Sequence, residues 1–289
     1  MWDSLKPFLV LGIALGGVFA MSGVGLVVLY RATGVLNLAY GAIGAVGALI
    51  SWSLLDSGVS PWLAYPACVA FGGVLTLLYG LLFGPPLAAR EPLVKTTATL
   101  GLMVILLGVM QRVWGRDPHG ITLPTSHWNY QIGGVRVSWT QIIGVVFPII
   151  VTAGTAVFLR VTRVGTAMRA LANDREITAM LGVPVRRVEA AAWFGSGLLC
   201  GAAGLLLSNL VSLDIIGLTF LVVPALAAAL IGQLHSLWIT LGAGFLIGIV
   251  QSSLNSFSEL AQFRSLTPFV LAIIALLSFA GRNELQART

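Results

Sequence analysis

Residues 160–188 read RVTRVGTAMRALANDREITAMLGVPVRRV, and the rest of the chain is interpreted around this stretch. It is the long polar interruption on the basic side of an otherwise apolar protein. Residues 164–172 predict a short helix, with Met168, Leu171 and Ala172 at i, i+3 and i+4. Asn173 followed by Glu176 has capping-box spacing, which predicts a second helix starting there. That helix carries Ile177, Met180 and Leu181 on one face and stops at Gly182, with Pro184 two residues beyond. Five arginines, at 163, 169, 175, 186 and 187, surround the two half-length helices. A knob this short forms no core of its own and exposes its apolar side chains unless something covers them. A solvated loop lying on lipid headgroups needs neither the cap, nor the stop, nor the apolar faces. A docking element for a soluble partner uses all three.

Outside the knob the composition is that of an integral membrane protein. The 289 residues are 57% hydrophobic and only 9% charged, against about 25% charged in soluble domains. The net charge of +6 does not describe a nucleic-acid face, because the arginines sit at the ends of apolar runs, where they set topology. Cys68 and Cys200 lie inside apolar stretches and read as packed thiols, with neither a disulfide framework nor metal-ligand spacing around them.

Working outward, apolar runs cover residues 8–30, 35–55, 62–83, 97–114 and 139–159 before the knob, and 190–211, 215–231, 237–255 and 266–280 after it. Val18-Phe19-Ala20 resembles a leader-cleavage site, but the first run continues past it and reads as an uncleaved span. Gly41, Gly44, Ala45 and Ala48 form a small-residue stripe, and Gly197-xxx-Gly201 a second, both signals of close helix contact. Most runs have roughly the 17–25 residues needed to cross the hydrocarbon core. Some late ones are short or glycine-broken, so one could be re-entrant. The polar segment 115–138 carries Asp117, His119, Pro124, His127 and Trp128. The expected fold is an all-α polytopic bundle of about nine spans, one transmembrane domain over residues 1–289, with 160–188 as a cytoplasmic loop within it.

Charge placement supports nine crossings. With the knob inside, Arg31, Arg90, Lys95, Arg160, Arg163, Arg169, Arg175, Arg186, Arg187, Arg282 and Arg288 are all cytoplasmic, eleven of the sixteen Lys and Arg. Lys6, Arg112, Arg116, Arg136 and Arg264 remain outside. The N-terminus is then outside and the C-terminus inside.

The chain lacks the residues for several chemistries. It has no G-x-x-x-x-G-K-[ST], no H-E-x-x-H and no G-x-S-x-G, and its three histidines are scattered. No catalytic residue and no metal site is assigned. Carboxylates inside the spans, the usual carriers of proton or sodium coupling, are scarce: Asp56, Asp214 and Glu259 fall at span ends and Glu189 opens the sixth run. The energy source therefore belongs to another chain, attached at the knob.

Two stretches carry a resemblance. Gly-Val-Leu-Asn-Leu-Ala-Tyr-Gly at 34–41, preceded by Gly-Leu-Val-Val-Leu-Tyr at 25–30, resembles the N-terminal signature of ABC-transporter permeases of the branched-chain amino-acid (LivH/LivM) type. MRALANDREITAMLGVPVRRV at 168–188 is similar to that family's coupling loop, and residues 225–248 to its later glycine-rich pair of segments. The resemblance implies a second permease subunit, two cytoplasmic ABC ATPases and an extracytoplasmic solute-binding protein as partners, within membrane lipid and without nucleic acid. It implies ATP and Mg on the partner ATPase and no cofactor on this chain. Met168, Arg169, Leu171, Asp174, Glu176, Ile177, Met180, Leu181 and Gly182 would then meet the ATPase.

The sequence departs from the family pattern at Tyr40, where His is usual, at residues 231–236, and in the tail 279–283. These departures leave the solute open, since relatives carry urea, amides and other small solutes. Asn37 and Tyr40, one helical turn apart, could line a solute path or bond neighbouring helices. Gln233 and His235 could form a cytoplasmic gate or a satisfied loop pair, and Asn209, Gln251 and Asn255 could share a cavity. The function expected is the permease subunit of an ABC importer for a small polar solute, branched-chain or related amino acids first. The alternative is an ATP-independent channel or secondary carrier for a solute such as urea or an amide.

Overall fold

The apolar runs fold as helices, the run 215–231 as two short ones and the run 35–55 only from Tyr40 onward. The computed structural model describes residues 2–88, 90–115, 117, 119–120, 129–132, 135–211, 214–256, 259 and 261–287. Before the knob come α1 (Trp2–Thr33), α2 (Tyr40–Asp56), α3 (Pro61–Leu87), α4 (Pro92–Trp114) and α5 (Trp139–Val161). The knob holds α6 (Arg163–Asn173) and α7 (Arg175–Met180). After it come α8 (Val185–Leu210), α9 (Ile215–Thr219), α10 (Val222–Ile231), α11 (Leu237–Leu254) and, behind a 3₁₀ turn at Ala261–Leu266, α12 (Thr267–Ala287). One feature departs from the all-helical expectation: β1 (Asn129–Ile132) and β2 (Val135–Ser138) pair as an antiparallel hairpin before α5.

Seven helices among the described residues are long and apolar enough to cross a membrane. Two further apolar segments are shorter, α2 and the broken pair α9–α10. Together they make the nine expected segments, two of them less than a full span. The shortening of α2 has a local cause. The chain leaves α1 at Gly34, whose φ of 69° suits glycine, and turns before re-entering helix at Tyr40. Thr99 of α4 closes this turn, its Oγ1 donating to the Leu36 carbonyl at 3.1 Å and accepting from the Leu38 N–H at 2.9 Å. Irregular backbone inside a membrane protein needs such partners from neighbouring helices.

The interior is built on α1 and α8, the most buried of the seven spans. Helix α1 packs along α11 and α8 along α3. Small residues permit both approaches: a Cβ on Gly248 would strike the Gly16 backbone, and one on Gly197 would strike Thr76 and the Gly72 carbonyl. Helix α2 in turn packs on α8, and α10 on α1. The halves α1–α4 and α8–α12 thus exchange contacts reciprocally. Their two broken segments meet, Gly41 of α2 lying directly on the Thr219 carbonyl of α9. On the outside, α3, α4, α5 and α12 show large apolar side chains such as Leu82, Ile105, Ile150 and Leu277, a surface suited to lipid.

Successive segments alternate in direction. At the knob end, Arg31 closes α1 with its Nη1 donating to the His235 carbonyl at 3.4 Å. At the far end, Ser252 Oγ donates to the Phe8 carbonyl and Trp114 Nε1 to Ser53 Oγ, both at 2.7 Å.

Candidate functional site

The knob differs from its sequence expectation in how its helices are capped. Asn173 is the last residue of α6, and the cap of α7 is Asp174, whose Oδ1 accepts from the Ile177 N–H at 2.9 Å. With the cap there, the third helical position is Ile177, so no capping box with Glu176 can close. Glu176 remains in the first turn of α7, where a negative charge suits the helix dipole. The stop falls where expected. Gly182 has φ 81°, and its N–H donates to the Ala179 carbonyl at 3.0 Å.

The two apolar faces of the knob have different fates, which corrects the expectation that both meet a partner. Met168 and Leu171, 3% and 6% exposed, are covered by the protein itself, since α6 packs on α1, α5 and α8. Gly165 allows this: a Cβ there would lie 2.5 Å from the backbone of α5, so α6 folds back tightly beneath the bundle. On α7, Met180 and Leu181 are 83% and 77% exposed, and Ile177 is exposed beside them.

Two of the knob's arginines contact the protein itself, while Arg163, Arg186 and Arg187 are exposed. Arg175 Nη2 pairs with Glu189 Oε1 of α8 at 2.8 Å. Arg169 is half-buried, with Nη2 at 3.5 Å from both the Arg160 carbonyl and Thr166 Oγ1, and close enough to Arg31 to feel its charge.

Asn37 and Tyr40 lie where the broken segments meet. Asn37 is in the turn ahead of α2 rather than on the helix, and its Oδ1 accepts from the Ala39 N–H at 3.1 Å. Tyr40 is wholly buried against Gly25 of α1, while its carbonyl accepts from the Cys200 thiol at 2.7 Å. Asn37 Nδ2 and Tyr40 Oη are buried without a hydrogen-bond partner among the described residues. The pair is therefore enclosed, and lines no open path in this conformation.

Gln233 and His235 occupy the exposed break between α10 and α11 at the knob end. Gln233 and Leu234 have φ 54° and 56°, left-handed without glycine, and His235 Nδ1 lies 2.7 Å from the Gln233 carbonyl. At the far end Asn255 Oδ1 accepts from Arg264 at 3.4 Å, and Gln251 Oε1 is buried without a partner among the described residues. His119 packs edge-on against Trp52 at 4.1 Å. Arg116, Pro124, His127, Trp128 and Arg288 lie outside the described residues. Sequence reasoning missed Thr99, which nothing marks as a stitch for a turn 61–63 residues away. It also missed the Arg175–Glu189 pair, since spacing does not reveal partners on different helices.

Comparison with known proteins covers nearly the whole chain. The family model for the permease component of branched-chain amino acid transport systems matches residues 8–278. The high-affinity branched-chain amino acid transport system permease protein BraD of Pseudomonas aeruginosa is 25% identical over 300 residues, 96% of each chain. LivH of Escherichia coli K12, described in the same terms, is 23% identical over 95% of each. A chain of the PsaBC complex of Streptococcus pneumoniae, solved with a Fab, aligns over 94% of this chain and 90% of its own, with TM-score 0.50 and 15% identity. That last likeness concerns the fold alone.

Proposed function

This chain belongs to the family of branched-chain amino acid transport permease components, and from that premise we propose how it works. It is the membrane permease subunit of an ABC importer for branched-chain amino acids, and it draws its energy from ATP hydrolysed on a partner. The observation that carries this reading is α7: a capped helix with a glycine stop, tied to α8 by Arg175, presenting Ile177, Met180 and Leu181 to solvent. Three adjacent exposed apolar side chains on a polar, basic end of a membrane protein suit a groove on a soluble ATPase. Helix α6, buried against three spans, carries motion of α7 into the bundle.

The rest of the machine follows from this reading. The partners are two cytoplasmic ATPase subunits carrying ATP and Mg, a second permease subunit and an extracytoplasmic binding protein. Residues 160–188 are the cytoplasmic coupling loop of a single domain, with the N-terminus outside and the C-terminus inside. The solute passes where the two broken segments meet, since paired interrupted helices at corresponding places in two halves mark a transporter's binding region. Asn37 and Tyr40 bring to that point polar groups with no hydrogen-bond partner among the described residues. Gln233 and His235 border its cytoplasmic exit. Rigid-body motion of the two halves then gives alternating access.

The test is recovery of the ATPase with the permease at matched expression. Leu181→Asp is expected to abolish it while membrane insertion is kept. Leu171→Ala acts on the covered face, and is expected to lower thermal stability by about 2–5 kcal/mol instead. Wild-type recovery with Leu181→Asp would remove α7 from the interface.

A further inference from the structure

Hydroxyl and thiol donors on a helix commonly turn back to a carbonyl one turn earlier on the same helix. Thr33, Thr219, Thr240, Ser253 and Ser278 all do so here. Two donors on α8 reach across instead. Ser196 Oγ donates to the Gly25 carbonyl of α1 at 2.9 Å, and the Cys200 thiol to the Tyr40 carbonyl of α2 at 2.7 Å. Both side chains are buried, and their i, i+4 spacing puts them on one face of α8. Their acceptors belong to two residues that touch, since a Cβ on Gly25 would strike the Tyr40 hydroxyl. One face of α8 therefore grips both sides of the contact between α1 and α2. The contact has little else to hold it. The Tyr40 hydroxyl has no hydrogen-bond partner among the described residues, and Tyr40 is the first residue of α2, directly after an irregular turn. Nearer the knob, Glu189 of α8 pairs with Arg175 of α7, about two helical turns before Ser196.

We propose that Tyr40 is the leaf of an internal gate seated on Gly25, and that Ser196 and Cys200 are positioning residues through which α8 holds it shut. This rests on the import reading above, in which the solute passes Asn37 and Tyr40. When the ATPase moves α7, the Arg175–Glu189 pair moves α8. A shift of about 1–2 Å, the size of helix movements in switching transitions, breaks both bonds, because both donors leave with the same face. A thiol is a weak donor, which suits a bond that must open in every cycle. Tyr40 then parts from Gly25, and its hydroxyl is free to bond the solute. A packing role alone would keep both bonds closed throughout.

Cys200 itself reports on the gate, so the experiment uses the wild-type permease–ATPase complex in nanodiscs. Labelling by N-ethylmaleimide is followed with and without ATP plus vanadate. Peptide mass spectrometry separates Cys200 from Cys68, whose thiol donates to the Gly201 carbonyl within the α3–α8 contact. Cys200 is expected to label several-fold faster with ATP and vanadate, while Cys68 keeps its rate because α3 moves with α8. An unchanged rate at Cys200 would overturn the proposal. So would equal acceleration of both thiols, which would mark a general loosening of the bundle. In proteoliposomes, leucine imported per ATP hydrolysed is expected to fall several-fold when Ser196→Ala and Cys200→Ala are combined. Cys200→Ser alone, which keeps a donor, is expected to stay near the wild-type ratio. A wild-type ratio in the combined variant would give both residues to packing and overturn the gate. ATP-driven leucine uptake by the wild type with unchanged Cys200 labelling would remove the gate and leave the import reading standing. Absence of any ATP-driven uptake by the wild type would remove both.

Discussion

Arg175 Nη2 lies 2.8 Å from Glu189 Oε1, tying the first residue of the exposed helix α7 to the start of the buried helix α8. The two residues are separated by the glycine stop and the Pro184 turn, so the pair fixes the angle at which α7 is presented. Partly exposed pairs of this kind contribute on the order of 1 kcal/mol or less to stability. The value of this one lies in orientation. Arg175→Glu is expected to leave insertion intact and to lower solute-stimulated ATP hydrolysis several-fold. Arg175→Glu combined with Glu189→Arg is expected to restore much of it. A double variant no better than the single one would show that the pair carries no coupling.

Close helix contact gives a second expectation. A Cβ on Gly197 would strike Thr76 and the Gly72 backbone, whereas Gly195, two residues earlier on the same helix, has open space around it. Gly197→Val is expected to destabilise the bundle by at least about 1–3 kcal/mol through overpacking. Gly195→Ala is expected to be neutral, or stabilising by about 0.5–1 kcal/mol through helix propensity. Thermal unfolding in detergent measures both, and equal effects would contradict the packing described.

The orientation proposed above rests on the basic residues at the knob end. A reporter fused after Asp174 is expected to read cytoplasmic and one after Asn129 external, because the single span α5 separates them. The same side for both would contradict the alternation of spans.

Periodicity and capping residues made most of the fold legible. The knob's two helices, its stop at Gly182 and the close contacts at Gly41 and Gly197 all follow from local patterns. What stayed hidden depends on partners distant in sequence. Nothing in MRALAND, residues 168–174, announces that Met168 and Leu171 are covered by the protein itself, because an apolar face looks the same whether a neighbour or a partner buries it. The cap shifted from Asn173 to Asp174 because both residue types cap well and one position decides between them. The run 35–55 is largely apolar, so hydropathy continued a helix through a turn that Thr99 of another helix holds in place.

The broken segments yield an expectation for transport. If the solute passes Asn37 and Tyr40, Asn37→Ala and Tyr40→Phe are expected to lower uptake several-fold while assembly and basal ATP hydrolysis stay intact. Loss of assembly instead would give both residues to packing. Tyr40→Phe is the cleaner variant, since the hydroxyl it removes makes no hydrogen bond among the described residues.

The central claim is that solute movement through this chain is driven by an ATPase seated on α7. It is tested most directly by uptake of radiolabelled leucine into proteoliposomes holding the permease subunits and the ATPase, with binding protein outside and ATP or a non-hydrolysable analogue inside. The account predicts concentrative uptake with ATP, none with the analogue, and none with Leu181→Asp despite normal insertion. Equal uptake with ATP, with the analogue and without the ATPase would contradict it, and would make the protein a channel or a gradient-driven carrier.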